Sequence, residues 1–252
     1  MRKRVRLDQL VVERGLAASR ERARALILAG QVRVNGTASV KAGAAVDPDA
    51  DIVLATADHP YVGRGGVKLA HALDAFGILV TGRAALDIGA STGGFTDVLL
   101  QRGASGVIAL DVGHGQFDWR LRNDPRVTVI ERLNARYLTL EVLPGKVDLV
   151  TIDVSFISLR QILPIVPPLL KPGADVLALV KPQFEAGRAE VGKHGLVRDP
   201  AIHARVVDEV ASVAERYDLI RSGMSPSPIT GATGNQEFFL HFTRSSLVNV
   251  HV

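Results

Sequence analysis

The stretch LDIGASTGGFTDVLL, residues 86–100, constrains the fold more than any other part of the chain. An apolar run closes on Asp87, three glycines follow within six residues, and an apolar helical pattern starts directly behind them. A buried strand running into a tight turn and then a helix is the first half of a crossover between parallel strands. The pattern continues downstream. AALDIG, GVIALDVG, VTVI, VDLVTIDVSF, ADVLALVKPQF and EFFLHF read as strands, and TDVLLQRG and PAIHARVVDEVASVAERY as helices. SLRQILPIVPPLL reads as helical until its prolines. Short apolar strands alternating with helices predict an α/β fold, a doubly wound Rossmann-like sheet covered on both faces. The last strand is expected to be antiparallel.

A different pattern precedes this. Leu7, Leu10 and Val11 share one helical face and Gly15 can stop that helix. Ser19 is a suitable N-cap for RERARALILA, and Gly30 a suitable stop. Val32 and Val34 alternate before Asn35-Gly36, the strongest short hairpin signal, and DADIVLA (49–55) reads as a closing strand. Residues 1–58 are therefore expected to form a small N-terminal α+β domain, 59–63 a linker, 64–244 the large domain and 245–252 a tail.

Charge separates the same two parts. Residues 1–41 hold ten Lys/Arg against three Asp/Glu, whereas 42–252 hold twenty against twenty-three. A local basic surface reads either as a nucleic-acid footprint or as a solvated helix face. Arg20 and Arg24 lie four residues apart on one helical face, and with Arg4 and Arg6 they are the candidate RNA contacts, flanked by Arg2 and Lys3. The chain has no cysteine, which excludes disulfides, thiolate metal sites and a thiol nucleophile. No apolar run reaches the ~18 residues needed to span a membrane, and the basic start lacks a secretory apolar stretch. The expected location is cytoplasmic, with no membrane partner, no metal and no assigned oligomeric state.

The glycine turn is the candidate ligand site, because ligands of doubly wound sheets bind at the carboxyl ends of the strands. It does not follow the G-x-G-x-x-G pattern of dinucleotide sites. Asp87 precedes the glycines, where a carboxylate suits a cationic ligand group better than a pyrophosphate. Asp111 closes the next strand 24 residues later, where an acid can accept bonds from ribose hydroxyls. An adenosine ligand with an amino-acid-like tail and a positive centre fits, so S-adenosylmethionine satisfies this description better than NAD. The expected cofactor contacts are Asp87, Gly89, Ser91, Thr92, Gly93, Gly94, Phe95, Asp111 and Asn134.

With these stretches in view, the chain resembles the TlyA family, ribosomal RNA cytidine 2′-O-methyltransferases once labelled hemolysins. The carrying segments are RLDQLVVERGLAASRERARALILAGQVRVNG, GRGGVKL, LDIGASTGGFTD, ALDVGHGQ, TIDVSFISL, LVKPQFEAGR and GNQEFFLH. The first resembles the S-four RNA-binding module; the rest resemble FtsJ-like methyltransferases. The resemblance implies a methyltransferase sheet, S-adenosylmethionine as cofactor, ribosomal RNA in ribosomal subunits as partner, and a Lys-Asp-Lys-Glu set at Lys68, Asp153, Lys181 and Glu237. In that set Lys181 is the expected base or hydroxyl-orienting group, Asp153 and Glu237 position the lysines, and Lys68 tunes Lys181. A lysine acts as base only when its pKa falls well below the usual ~10.4. No step requires a metal, because the sulfonium supplies the leaving group.

Absent residues narrow the target. Cytosine C5 methylation generally needs a cysteine nucleophile, and the aromatic Asn/Asp-Pro-Pro signature of N6-adenine methylases is replaced by Asp153-Val-Ser-Phe156. Phe156 either stacks on a displaced base or packs in the core. His194 and His203 read as surface or helix residues rather than metal ligands. The glycine-rich, basic segment 185–200 reads as a loop that orders over substrate or as a merely mobile one. Two other functional classes remain at this stage: a non-catalytic RNA-binding assembly factor, and a cytolysin as the older family label suggests.

Overall fold

The computed structural model describes residues 4–28, 30–54 and 59–245. Arg2, Lys3, residues 55–58 at the expected end of the small domain, and 246–252 of the expected tail lie outside the described residues. Contacts divide the chain into two units, Met1–Pro60 and Tyr61–Val252.

In the first unit, β1 (Val5–Arg6) leads into α1 (Leu7–Glu13), followed by α2 (Arg20–Leu28), β2 (Val32–Val34), β3 (Thr37–Ser39), β4 (Ala45–Val46) and β5 (Ile52–Leu54). Ser19 Oγ accepts from the Arg22 N–H at 3.2 Å, satisfying one free donor at the start of α2. Asn35 and Gly36 both take left-handed conformations, φ 49° and 80°, as a two-residue hairpin turn demands. The Asp51 N–H donates to Asn35 Oδ1 at 2.9 Å, tying this turn to the approach of β5. β2 pairs antiparallel with both β3 and β5. Leu7, Leu10 and Val11 of α1 are buried with Ala23, Leu26 and Ile27 of α2 over Val32 and Ile52. Each large aliphatic chain buried here stabilises by ~1.5–3 kcal/mol. The two-residue pairing of β1 with β4 is too short to leave a sequence pattern.

The second unit runs α3 (Gly65–Phe76), β6 (Ala84–Ile88), α4 (Gly94–Gln101), β7 (Gly106–Asp111), α5 (Trp119–Arg122), β8 (Val127–Glu131), β9 (Val147–Ile152), β10 (Leu170–Val180), α6 (Pro182–Glu185), α7 (Pro200–Glu215), β11 (Leu219–Pro226) and β12 (Phe238–Arg244). The sheet order is β11-β12-β10-β9-β6-β7-β8. β6 to β10 are parallel, and β12 runs antiparallel between β10 and β11. This is the expected doubly wound α/β sheet with an antiparallel edge. The chain leaves β6 in one direction for β7 and β8, then returns to its other side as β9, so the switch point lies between β6 and β9.

Side chains alternate between two apolar layers, as period two requires. Val176, Ala178 and Val180 of β10 face the layer with α7 and the turns after β9, whereas Leu177 and Leu179 face α3 and α4. The stretch SLRQILPIVPPLL, expected to be helical until its prolines, instead holds three successive 3₁₀ turns, Leu159–Gln161, Leu163–Ile165 and Pro167–Leu169. Pro164, Pro167 and Pro168 lack the N–H that an α-helix needs. Two elements had no clear sequence signal. α3 opens on glycines, poor helix formers, because a Cβ on Gly66 would stand 2.4 Å from the Tyr61 side chain. β11 carries a register shift between Arg221 and Gly223 and ends on Pro226, features an edge strand tolerates. Of the expected linker 59–63, Tyr61 and Val62 pack on the α3–α4 layer, and the Val62 N–H donates to Asp97 Oδ2 at 2.8 Å. No helix of the described residues is long and apolar enough to cross a membrane.

Candidate active site

Because β6, β7 and β9 are parallel, Gly89, Asp111 and Asp153 arrive at one edge of the sheet. They line a cavity of about 520 Å³ together with Ser91, Val112, Gln116, Asn134, Arg136, Ser155 and Phe156. That volume lies in the range of small-ligand sites. Gly89 has φ +88°, and a Cβ there would lie 2.4 Å from the Asp153 carbonyl oxygen. The bare backbone at this position is therefore a steric requirement of the strand crossing as well as an opening for a ligand. Asp111 Oδ2 accepts from the Ser91 N–H at 2.7 Å and Oδ1 from the Gly113 N–H at 2.7 Å. Asn134 caps the 3₁₀ turn Ala135–Tyr137, accepting from the Arg136 N–H at 3.1 Å.

The other expected cofactor residues do different work. Asp87 is wholly buried and absent from the cavity wall. Its Oδ2 accepts from Thr96 Oγ1 of α4 at 2.7 Å and its Oδ1 from Thr151 Oγ1 of β9 at 3.0 Å. Burial pushes its pKa up to about 7, against the opposing pull of the two threonine hydroxyls. It bridges its own strand to the neighbouring strand and to α4. Thr92, Gly93, Gly94 and Phe95 also lie off the cavity wall. Gly93 takes φ +98° at the start of α4, where a Cβ would stand 2.5 Å from Leu121. A Cβ on Gly94 would lie 3.1 Å from the Gly66 nitrogen, so this glycine lets α4 meet α3. Phe95 stacks on Phe239 at 6.1 Å, and the Thr92 carbonyl accepts from the Asp118 N–H. The glycine turn lines the cavity at its first residue and serves helix packing at its last two.

Two lysines are each paired with their own carboxylate, and one of them, Lys181, contacts residues of the cavity wall. Lys181, directly after β10, places Nζ 2.7 Å from Asp153 Oδ1 and donates to Ser155 Oγ at 2.9 Å. The contact with Asp153 is an ion pair without hydrogen-bond alignment. Lys68, in the first turn of α3, donates to Glu237 Oε2 at 2.5 Å. All but Asp153 are buried, and breaking a buried pair by deleting one partner is costly, about 3–5 kcal/mol. Gly231 makes room for Glu237, since a Cβ there would fall 2.5 Å from Oε1. Asp153 belongs to both the cavity wall and the lysine pair, so it joins the two parts of the site.

Phe156 is not a core residue. It is 92% exposed, with a left-handed φ of 63°, and lines the cavity. Such a backbone is uncommon for an aromatic residue and concentrates at functional sites. The segment 185–200 is ordered by named bonds. Asn235 accepts from the Val197 N–H at 2.9 Å and donates to the Gly195 carbonyl at 2.7 Å, and His203 Nε2 lies 2.8 Å from the Val197 carbonyl. His194 holds a left-handed φ of 62° within it. Sequence reasoning missed Val112, Gln116, Arg136 and Ser155. Their signal was positional, since each follows the carboxyl end of a strand.

In the first unit the four candidate arginines separate into two kinds. Arg6 Nε donates to Asp8 Oδ1 at 3.0 Å, and Arg20 lies 3.3 Å from Asp8 Oδ2. Asp8 is buried, and its bond to Arg6 holds its pKa down to about 2. Arg6 and Arg20 are therefore half-committed to an internal charge. Arg4 and Arg24 are exposed and unpaired among the described residues.

Residues 61–244 match the model of the FtsJ-like methyltransferases, and residues 5–52 match that of the S4 domain. The chain is 51% identical over 241 residues to the 16S/23S rRNA (cytidine-2′-O)-methyltransferase TlyA of Mycobacterium tuberculosis, covering 95% of this chain and 90% of that one. A solved protein of Streptococcus thermophilus, provisionally described as a hemolysin, is 43% identical with TM-score 0.76, over 96% of this chain and 89% of that one. An S-adenosylmethionine-dependent methyltransferase of Mesorhizobium loti shares the fold alone, at 17% identity and TM-score 0.56, over 72% of this chain and 100% of that one.

Proposed function

Since the chain belongs to the TlyA family of FtsJ-like methyltransferases, we propose that it transfers a methyl group from S-adenosylmethionine to the 2′-hydroxyl of cytidine in ribosomal RNA. The observation that carries the reading is the junction at Asp153, where a small-ligand cavity meets a lysine held ready at its rim.

Gly89, Ser91, Asp111 and Asn134 hold the cofactor, with the carboxylate of Asp111 suited to hydroxyl donors and the side-chain-free Gly89 admitting close approach. The cofactor supplies an electrophilic methyl on a sulfonium. The remaining chemistry falls to the chain. Lys181 Nζ, ion-paired with Asp153 and donating to Ser155, orients the ribose hydroxyl by donating to its oxygen, and the hydroxyl proton passes to water as that oxygen attacks. The buried Lys68–Glu237 pair ties α3 to the start of β12. Phe156 offers an exposed ring at the cavity mouth on which the cytosine stacks once it leaves its helix. Incubating the chain with labelled S-adenosylmethionine and unmodified ribosomal subunits is expected to yield 2′-O-methylcytidine on nuclease digestion. A label on the base, or none in RNA, overturns the reading.

The first unit anchors the RNA within the subunit. Charge contacts to phosphates release counterions, at a log–log salt slope of about −0.9 per duplex phosphate neutralised. Replacing Arg4 and Arg24 by alanine is expected to flatten that slope by up to about 1.8 while leaving cofactor binding as it was. Arg6→Ala and Arg20→Ala have a second effect, because they strip a buried carboxylate of its donors and so weaken the unit itself. RNA titrations at several salt concentrations separate the two classes. An unchanged slope in the Arg4/Arg24 variant would make these charges a solvated face.

A further inference from the structure

The segment KPQFE (181–185) carries one residue with no part in the chemistry above. Glu185 closes α6, four residues after Lys181, and is only 4% exposed. Both its carboxylate oxygens are engaged by the loop that leaves β9. Ser158 Oγ donates to Oε2 at 2.5 Å, and the Leu159 N–H donates to Oε1 at 2.7 Å. Arg160 reinforces the same contact, its Nη2 donating to the Glu185 carbonyl at 2.7 Å.

Three residues of this single helical turn thus touch three successive parts of one loop. Lys181 holds Asp153 and Ser155, the Phe184 ring meets the Phe156 ring at 5.2 Å, and Glu185 holds Ser158 and Leu159. The loop needs holding, since Phe156 sits in a left-handed conformation with its ring in solvent. Such a conformation persists only where the surroundings over-determine it. A buried carboxylate costs free energy unless fully bonded, and here every bond it makes goes to this loop or to Arg160. We propose that Glu185 is a positioning residue for RNA methylation, fixing the 153–159 loop so that Phe156 presents its ring to the target base. The inference rests on the stacking role given to Phe156 above.

The test is a double-mutant cycle on the full-length chain with ribosomal RNA as substrate. Glu185→Gln keeps the side chain's shape but replaces one acceptor by a donor that faces the donors of Ser158 and Leu159. Its KM for RNA is expected to rise at least tenfold, with kcat and S-adenosylmethionine affinity changed less than threefold. In a Phe156→Ala background the same substitution should add less than threefold, because its target is already gone. Should Glu185→Gln fail to fold, Ser158→Ala removes one of the two bonds and is expected to shift KM in the same direction, again only when Phe156 is present. Additive effects of the two substitutions, or a parallel loss of cofactor affinity, overturn the positioning role and leave Phe156 stacking intact. No change in KM on Phe156→Ala alone overturns the stacking role itself.

Discussion

Lys181→Ala is expected to lower methyl transfer to ribosomal RNA by about 10²–10³-fold, the loss that follows removal of one positioned donor, while binding S-adenosylmethionine almost as the parent does. The split follows from where the lysine stands. Lys181 contacts Asp153 and Ser155 but is not part of the cavity wall, which retains Gly89, Ser91, Asp111 and Asn134 in the variant. Methyl transfer measured at saturating cofactor, beside calorimetric cofactor titration, reads the two quantities separately. Turnover near that of the parent removes Lys181 from the mechanism. A cofactor affinity falling as steeply as turnover makes the residue a support of the cavity through Asp153 instead.

The second large effect concerns stability. Asp87 has a folded-state pKa of about 7, against ~3.9 in an unfolded chain. Below about pH 4 the carboxyl is protonated in both states and its contribution is fully present. As pH rises towards 7 the unfolded chain releases the proton while the folded one keeps it, so this contribution is lost progressively, by about 4 kcal/mol in total. Above pH 7 the contribution has gone and the slope vanishes. Asp87→Asn has no proton to lose. The stability difference between parent and variant is therefore expected to move by up to about 4 kcal/mol between pH 4 and 7, favouring the parent as pH falls. Denaturant unfolding of both proteins at several pH values checks this, and the comparison cancels the other carboxylates. Parallel curves would mean that Asp87 stays charged in the folded state.

How far the sequence carried depends on what each residue faces. The central strands β6, β7 and β9 were legible because nearly every residue in them is buried, which makes each a short, mostly apolar run such as LVTI. The hairpin at Asn35-Gly36 was legible because few residue pairs take two left-handed conformations in succession. α3 was not, because its opening glycines answer to Tyr61 and α4, neighbours that no local pattern reveals. The same limit governs the site. The acids at 111 and 153 follow strands and so announced the edge, whereas Ser155 gains its meaning only from a lysine 26 residues away. The bonds of Asp87 to Thr96 and Thr151 were not legible in the sequence. They lie in the gap between β9 and α4, which only the fold defines.

The place of β12 bears on when this enzyme becomes an enzyme. The last strand of the sheet to be synthesised enters between two strands made before it, β10 and β11, and only its arrival gives Lys68 a carboxylate 169 residues further along. Chains emerge from the ribosome with the N-terminal part first, so residues 5–52 are synthesised long before β12. The Lys68–Glu237 pair therefore cannot form until nearly the whole sheet has been synthesised.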